Sequence, residues 1–134
     1  MTKVRMAKRS DLKWMHGKEN LLGGPSFSLP VLEMFSMTPD FTVHVAGDSA
    51  MVLYHEGKGG KSRLLMLLGT ELTELLQTGE EAARRAGTVK ITLEVDPRSE
   101  TIPQLESSGY QMKGDLANYF GKDRPAHYME KILL

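Results

Sequence analysis

Arg63–Leu68, Glu71–Ala86 and Thr88–Val95 follow one another almost without a break, and this succession most narrows what the chain can fold into. Leu64–Leu68 contains no polar residue, as expected of a strand buried on both faces. Gly69-Thr70 leads at once into a segment whose Leu72, Leu75, Leu76, Ala83 and Ala86 recur at three- and four-residue spacing, the apolar stripe of a helix. Gly79 within it costs about 1 kcal/mol relative to alanine, and Thr78 with Glu81 makes a capping-box pattern, so a break there stays open. Gly87 is a natural stop. Thr88–Val95 then alternates Val89, Ile91, Leu93 and Val95 with polar residues, the clearest strand in the sequence.

Around this unit the patterns are shorter. Thr2–Ala7 alternates as a strand, and Ser10 has the chemistry of an N-cap for a helix running to about Asn20, stopped by Gly23-Gly24-Pro25. Leu29–Met37 predicts a second helix, with Pro30 in its first turn. Phe41–Ala46 and Ala50–Glu56 flank Gly47-Asp48 as a hairpin, and Gly57–Ser62 is a flexible turn into Arg63–Leu68. Glu100–Ser107 predicts a short helix. Tyr110–Leu116 and Ala126–Leu133 predict strands, joined by a polar loop over Asn118–Pro125. The order β-α-α-β-β-β-α-β-α-β-β implies an α/β (α+β) domain over residues 1–134. Its sheet is mixed, mostly antiparallel and twisted, of about seven strands with helices on both faces.

The totals exclude several functions. Seventeen basic residues balance seventeen acidic ones, so no net field favours nucleic acid or an anionic membrane. There is no cysteine, hence no disulfide, thiolate metal site or cysteine nucleophile. The first ten residues break every apolar run with charge, and no stretch approaches the roughly 20 apolar residues a spanning helix needs. A soluble cytoplasmic protein is expected. The glycine-rich Gly57–Ser62 fails as a phosphate-binding Walker loop, because His55 stands at the first glycine position and a strand follows. His16, His44, His55 and His127 show no metal-ligand spacing; His44 and His55 can meet across the hairpin but read as surface histidines. Trp14 and the nine methionines read as core filler.

Five short stretches, in order, resemble one family. Val4–Leu12 resembles its entry into the first helix. Gly79-Glu-Glu-Ala-Ala-Arg-Arg-Ala-Gly87 running into Val89–Val95 resembles its "EEARRRG…ITLEV". Leu105–Tyr110 resembles "LYESLGF", Gly114–Phe120 resembles "G-x-L-x-NYY", and His127–Lys131 resembles the closing "MEK" strand. The chain is thereby similar, over essentially its whole length, to the GNAT N-acetyltransferases, nearest to the branch acting on protein N-termini and ribosomal proteins.

That resemblance implies transfer of an acetyl group from acetyl-CoA to a primary amine. In the family the thioester lies between splayed fourth and fifth strands, and the diphosphate sits on backbone amides opening the third helix, where the helix dipole favours anions. Those positions are Leu67, Leu68, Gly69, Thr70 and Leu72 here, and Ser99 falls near the asparagine that contacts CoA. Glu94 matches the general base of the "LEV" stretch, and Tyr119 matches a tyrosine that seats the substrate. The resemblance implies no metal.

The departures are equally specific. Gly69-Thr70-Glu71 enters the helix with most of the family's glycine-rich loop missing, and Glu71 would repel a phosphate. A rival register lays Glu56–Leu65 on that loop, drops a strand and lengthens the helix. The tyrosine that protonates the leaving thiolate is replaced by Leu105. Two functions follow: an N-acetyltransferase with an amine substrate, or a degenerate fold serving as a binding or assembly module, as a homodimer or an accessory to another protein.

Overall fold

A computed structural model describes residues 3–24, 26–57 and 60–133. The elements are β1 (Arg5–Met6), α1 (Arg9–His16), α2 (Leu29–Met37), β2 (Phe41–Ala46), β3 (Ser49–Glu56), β4 (Lys61–Leu68), α3 (Leu72–Arg85), β5 (Lys90–Val95), α4 (Ile102–Ser107), β6 (Gln111–Gly121) and β7 (Arg124–Ile132). The strands form one seven-stranded sheet in the order β1-β2-β3-β4-β5-β7-β6, in which only β4 and β5 pair in parallel. Parallel neighbours require a crossover, and α3 supplies it. Since 61–68 is a strand, the rival register is excluded. Thr2, Pro25, Lys58 and Gly59, which entered the strand and turn expectations, lie outside the described residues.

Two apolar layers cover the sheet. Leu12 and Met15 of α1 and Leu32 and Phe35 of α2 pack on Val43, Val45, Ala50, Val52, Met66 and Leu68. Leu72, Leu75, Leu76 and Ala83 of α3, with Leu105 of α4, pack on Met51, Leu53, Leu64, Leu67, Ile91 and Leu93. The unbroken apolar run in β4 has a local cause. Val52 opposes Met66 while Leu53 opposes Leu64, so Leu65 is an extra residue, a β-bulge. Beyond it the alternation shifts by one. Leu64 and Leu67 thus belong to one layer, and Met66 and Leu68 to the other.

Several local expectations change. Lys8, not Ser10, precedes α1, and its amide donates to the Asp11 carboxylate at 2.7 Å; Arg5 grips the same carboxylate at 2.7 and 3.0 Å, and Trp14 Nε1 donates to it at 3.0 Å. Arg5 above all, with the Lys8 amide and Trp14, holds Asp11 well below the usual carboxylate range. The helix stops at His16 instead of Asn20, releasing the described residues 17–24 and 26–28 from helix. α3 runs unbroken through Gly79 because that position lies against β3: a Cβ there would meet the Met51 methyl and, at 2.9 Å, Leu53 Cδ1. The expected polar loop over Asn118–Pro125 is mostly strand. It narrows to a turn at Lys122-Asp123; Asn118, in the irregular end of β6, and Asp123 have positive φ, and the Asp123 amide donates to Asn118 Oδ1 at 2.8 Å.

His44 and His55 are not surface residues; they are 5% and 7% exposed. His55 joins a buried polar chain, Nε2 to Thr42 Oγ1 at 3.0 Å and Nδ1 to Ser62 Oγ at 2.6 Å, and Ser62 continues to Thr88 at 2.9 Å. Burial pushes the pKa of both imidazoles down, with Arg85 and His55 adding to the effect at His44 and Asp40 opposing it at His55. The sign follows. Below about pH 6.5 the unfolded chain binds protons that the folded chain does not, so stability complete above that pH is lost as pH falls toward the depressed folded values. The lowered carboxylates of Asp11, Asp48 and Asp96 lose their contribution only below their ordinary value of 3.8, so the window from pH 6.5 to 5 belongs to histidine. Urea unfolding should give a lower free energy at pH 5.5 than at 7.5, with a smaller difference in His44→Asn; an equal difference would contradict the assignment. Gly79→Val should cost about 1–3 kcal/mol in the same measurement, by overpacking against Met51 and Leu53.

Candidate functional site

β4 and β5 pair only through Lys61–Lys90, Ser62–Ile91 and Arg63–Thr92. After that the bulge at Leu65 carries β4 away, and the strands part although both continue. Parted strands in a core leave backbone groups that need partners. Here the connection between α1 and α2 supplies them. The Leu21 amide donates to the Leu67 carbonyl at 2.8 Å, and the Leu67 amide donates to Asn20 Oδ1 at 3.3 Å. On the other flank the Asp96 amide donates to the Leu22 carbonyl at 2.8 Å, and Ser99 Oγ donates to the Leu21 carbonyl at 2.6 Å. Gly23 adopts φ 91°, and a Cβ there would lie 2.5 Å from Asp96 Cβ. Residues Asn20–Leu22 therefore bridge β4 and the end of β5 as a short inserted strap. Asn20 and Leu22 are 5% and 3% exposed.

The strap divides the cleft in two. On the α1–α2 side is a cavity of about 410 Å³ lined by Asn20, Leu22, Gly24, Phe27, Arg63, Leu64, Leu65, Glu94, Tyr119 and Phe120. On the other side is one of about 500 Å³ lined by Glu19, Asn20, Leu21, Gly23, Asp96, Arg98, Ser99, Glu100 and Thr101. The second is rich in carboxylates, and its Arg98 is already paired with Asp96 at 3.0 Å, an ill-suited setting for an anion.

The turn entering α3 is also tied down. Ser49 Oγ accepts from the Thr70 amide at 2.8 Å and the Glu71 amide at 2.7 Å, and Thr70 Oγ1 donates to Asp48 at 3.2 Å. Gly69 has φ 88°, and a Cβ on it would run into Ser49 and, at 2.6 Å, the Asp48 carbonyl oxygen. The β2–β3 turn thus fastens the two residues before the helix to a buried hydroxyl and sets a carboxylate beside them. Leu67, Leu68 and Leu72 are core residues, and Ser99 is committed to the strap. Gln104 Nε2 reaches from α4 to Thr73 Oγ1 of α3 at 3.2 Å.

Glu94 and Tyr119 meet at one residue that the sequence did not single out. Arg63 Nη2 lies 2.9 Å from Glu94 Oε1 and donates to the Tyr119 hydroxyl at 2.6 Å, while Arg63 Nε donates to Glu94 Oε2 at 3.3 Å. Burial first, then Glu94, raises the Tyr119 pKa, keeping the phenol neutral. Arg63 was legible only as the charged residue opening an apolar run. Asn20, Asp48 and Ser49 carried no sequence signal, because each acts across a long separation.

No family model and no curated protein matches the sequence. Among solved structures, the chain is similar to Ard1 from Thermoplasma volcanium at 17% identity, with a TM-score of 0.78 over 99% of this chain and 98% of that one. It is similar to a ribosomal-protein-alanine N-acetyltransferase from Brucella melitensis at 19% identity, TM-score 0.77, over 98% and 99% of the two chains. It is also similar to a spermidine N-acetyltransferase from Vibrio cholerae, solved with CoA and spermine, at 16% identity, TM-score 0.76, over 98% and 95%. At these identities the likeness is one of fold.

Removing this tie should be measurable. Ser49→Ala deletes the hydroxyl that accepts from the Thr70 and Glu71 amides and should lower stability by about 1–3 kcal/mol in denaturant unfolding. An unchanged midpoint would show that the hydroxyl does not hold the turn into α3.

Proposed function

We propose, from the premise of a GNAT fold, that this protein is a binding module working through the cavity at Arg63, Glu94 and Tyr119, and that it does not turn over acetyl-CoA. The observation that carries this reading is the strap: the place where the family's thioester would lie is filled by Asn20–Leu22, hydrogen-bonded on both flanks. Three further features support it. The turn entering α3 is tied down, the Thr70 and Glu71 amides donating to Ser49 with the Asp48 carboxylate beside them. The outer cleft is lined by Glu19, Asp96 and Glu100. Leu105, at the position of the family's thiolate acid, is a fully buried leucine.

Magnitudes weigh the two functions. Clearing the strap breaks the bonds at Leu21, Leu67, Asp96 and Ser99, at about 1 kcal/mol net each, so opening costs roughly 4 kcal/mol. That weakens a cofactor's apparent affinity by about 10³, before any loss of diphosphate contacts. A cofactor that would bind at micromolar concentration then binds at about millimolar.

One observation favours the transferase reading: the strands do part, and Glu94 and Tyr119 both line the cavity on the side where an amine would enter. For Glu94 to take a proton, the amine would have to approach it beside the Arg63 guanidinium. Titration calorimetry with acetyl-CoA, paired with an acetylation assay on an amine panel, separates the readings. The expected result is no saturable heat below about millimolar ligand and no acetylated product. Micromolar binding with turnover would replace the module with an N-acetyltransferase.

A further inference from the structure

We propose that the cavity at Arg63 takes a ligand with a carboxylate head and an apolar or aromatic body; this rests on reading that cavity as a binding site. The argument starts from how Arg63 spends its donors. A guanidinium is charged at every accessible pH and presents five N–H groups in a fixed fork. Nε and Nη2 face Glu94 at 3.3 and 2.9 Å, and Nη2 also donates to Tyr119 at 2.6 Å. Among the described residues, no hydrogen bond uses Nη1. The inner edge is committed and the outer edge is not.

Accessibility points the same way. The Arg63 side chain is 37% exposed and that of Glu94 13%, so an entering molecule meets the cation first. Both Glu94 oxygens already face Arg63. An ammonium reaching Glu94 would have to share those oxygens with the guanidinium and so lie beside a like charge. A carboxylate can instead accept one charge-assisted bond from Nη1 without breaking any existing bond, while Nη2 stays with Glu94 and Tyr119. A second cation stands nearby: the Arg124 guanidinium lies 6.0 Å from the centroid of the Phe120 ring, and Phe120 forms part of the cavity wall. Phe27, Leu65, Tyr119 and Phe120 supply apolar and aromatic surface for the body of the ligand.

The test uses the full chain and three probes that share a phenyl body: 3-phenylpropionate, phenethylamine and 3-phenylpropanamide. Titration calorimetry should rank the acid first, by roughly tenfold or more, as a charge-assisted pair implies. Arg63→Met should abolish the preference, Arg63→Lys should keep part of it, and Glu94→Gln should keep or strengthen acid binding. If Arg63→Met alone does not fold, the double variant Arg63→Met/Glu94→Gln removes both charges together and should still lose the preference. Equal or tighter binding of phenethylamine, acid binding unchanged in the Met variants, or no saturable binding of any probe would overturn the carboxylate assignment. An amine preference would do so while leaving the binding-module reading intact. Micromolar acetyl-CoA binding with turnover would instead overturn that reading.

Discussion

The structure turns on the need to satisfy backbone groups where β4 and β5 separate. A bulge at Leu65 sends β4 outward and opens a gap at the centre of the sheet. Leaving the Leu67 and Asp96 groups bare in a dry core would cost about 1–3 kcal/mol apiece. A fold that opens such a gap must fill it with a ligand or with itself. This chain fills it with Asn20–Leu22. The shortness of α1 is what makes this possible: by ending at His16, it frees enough chain to reach across.

A second tie lies just ahead of α3, where the β2–β3 turn brings Ser49 to the amides of Thr70 and Glu71. Gly69 is required there twice over, for its positive φ and for its approach to the turn backbone. The carboxylate-lined outer cleft falls on one side of the strap. The other side keeps a cavity walled in part by Phe27, Leu65 and Phe120 and holding the ion pair of Arg63 with Glu94. The two openings thus differ in charge, carboxylates dominating one and a guanidinium presented in the other.

The element order was legible because each segment carries one clear period: alternation at Thr88–Val95, three-and-four spacing in α3, and a continuous apolar run in β4. That run hid its own bulge, since a strand buried on both faces reads the same before and after a shift of one residue. The burial of His44 and His55 was hidden for a related reason, because a polar residue within a hairpin strand does not announce which layer covers it. Glu94 and Tyr119 are candidates only through resemblance, whereas Arg63, which joins them, reads in the sequence as the flank of an apolar segment. Asn20 and Ser49 lie beyond local reasoning altogether: Asn20 acts on Leu67 and Ser49 on Thr70, in each case across strands distant in sequence.

The occupancy of the gap by Asn20–Leu22 can be read directly from amide hydrogen exchange, resolved by residue. If the strap is a built part of the sheet, the Leu21, Leu67 and Asp96 amides exchange as slowly as those of neighbouring β4 and β5, and added CoA leaves them unchanged. Exchange at the rate of an open loop, or deprotection of these three amides on adding CoA, would mean that the gap is held open for a ligand and that the account is wrong.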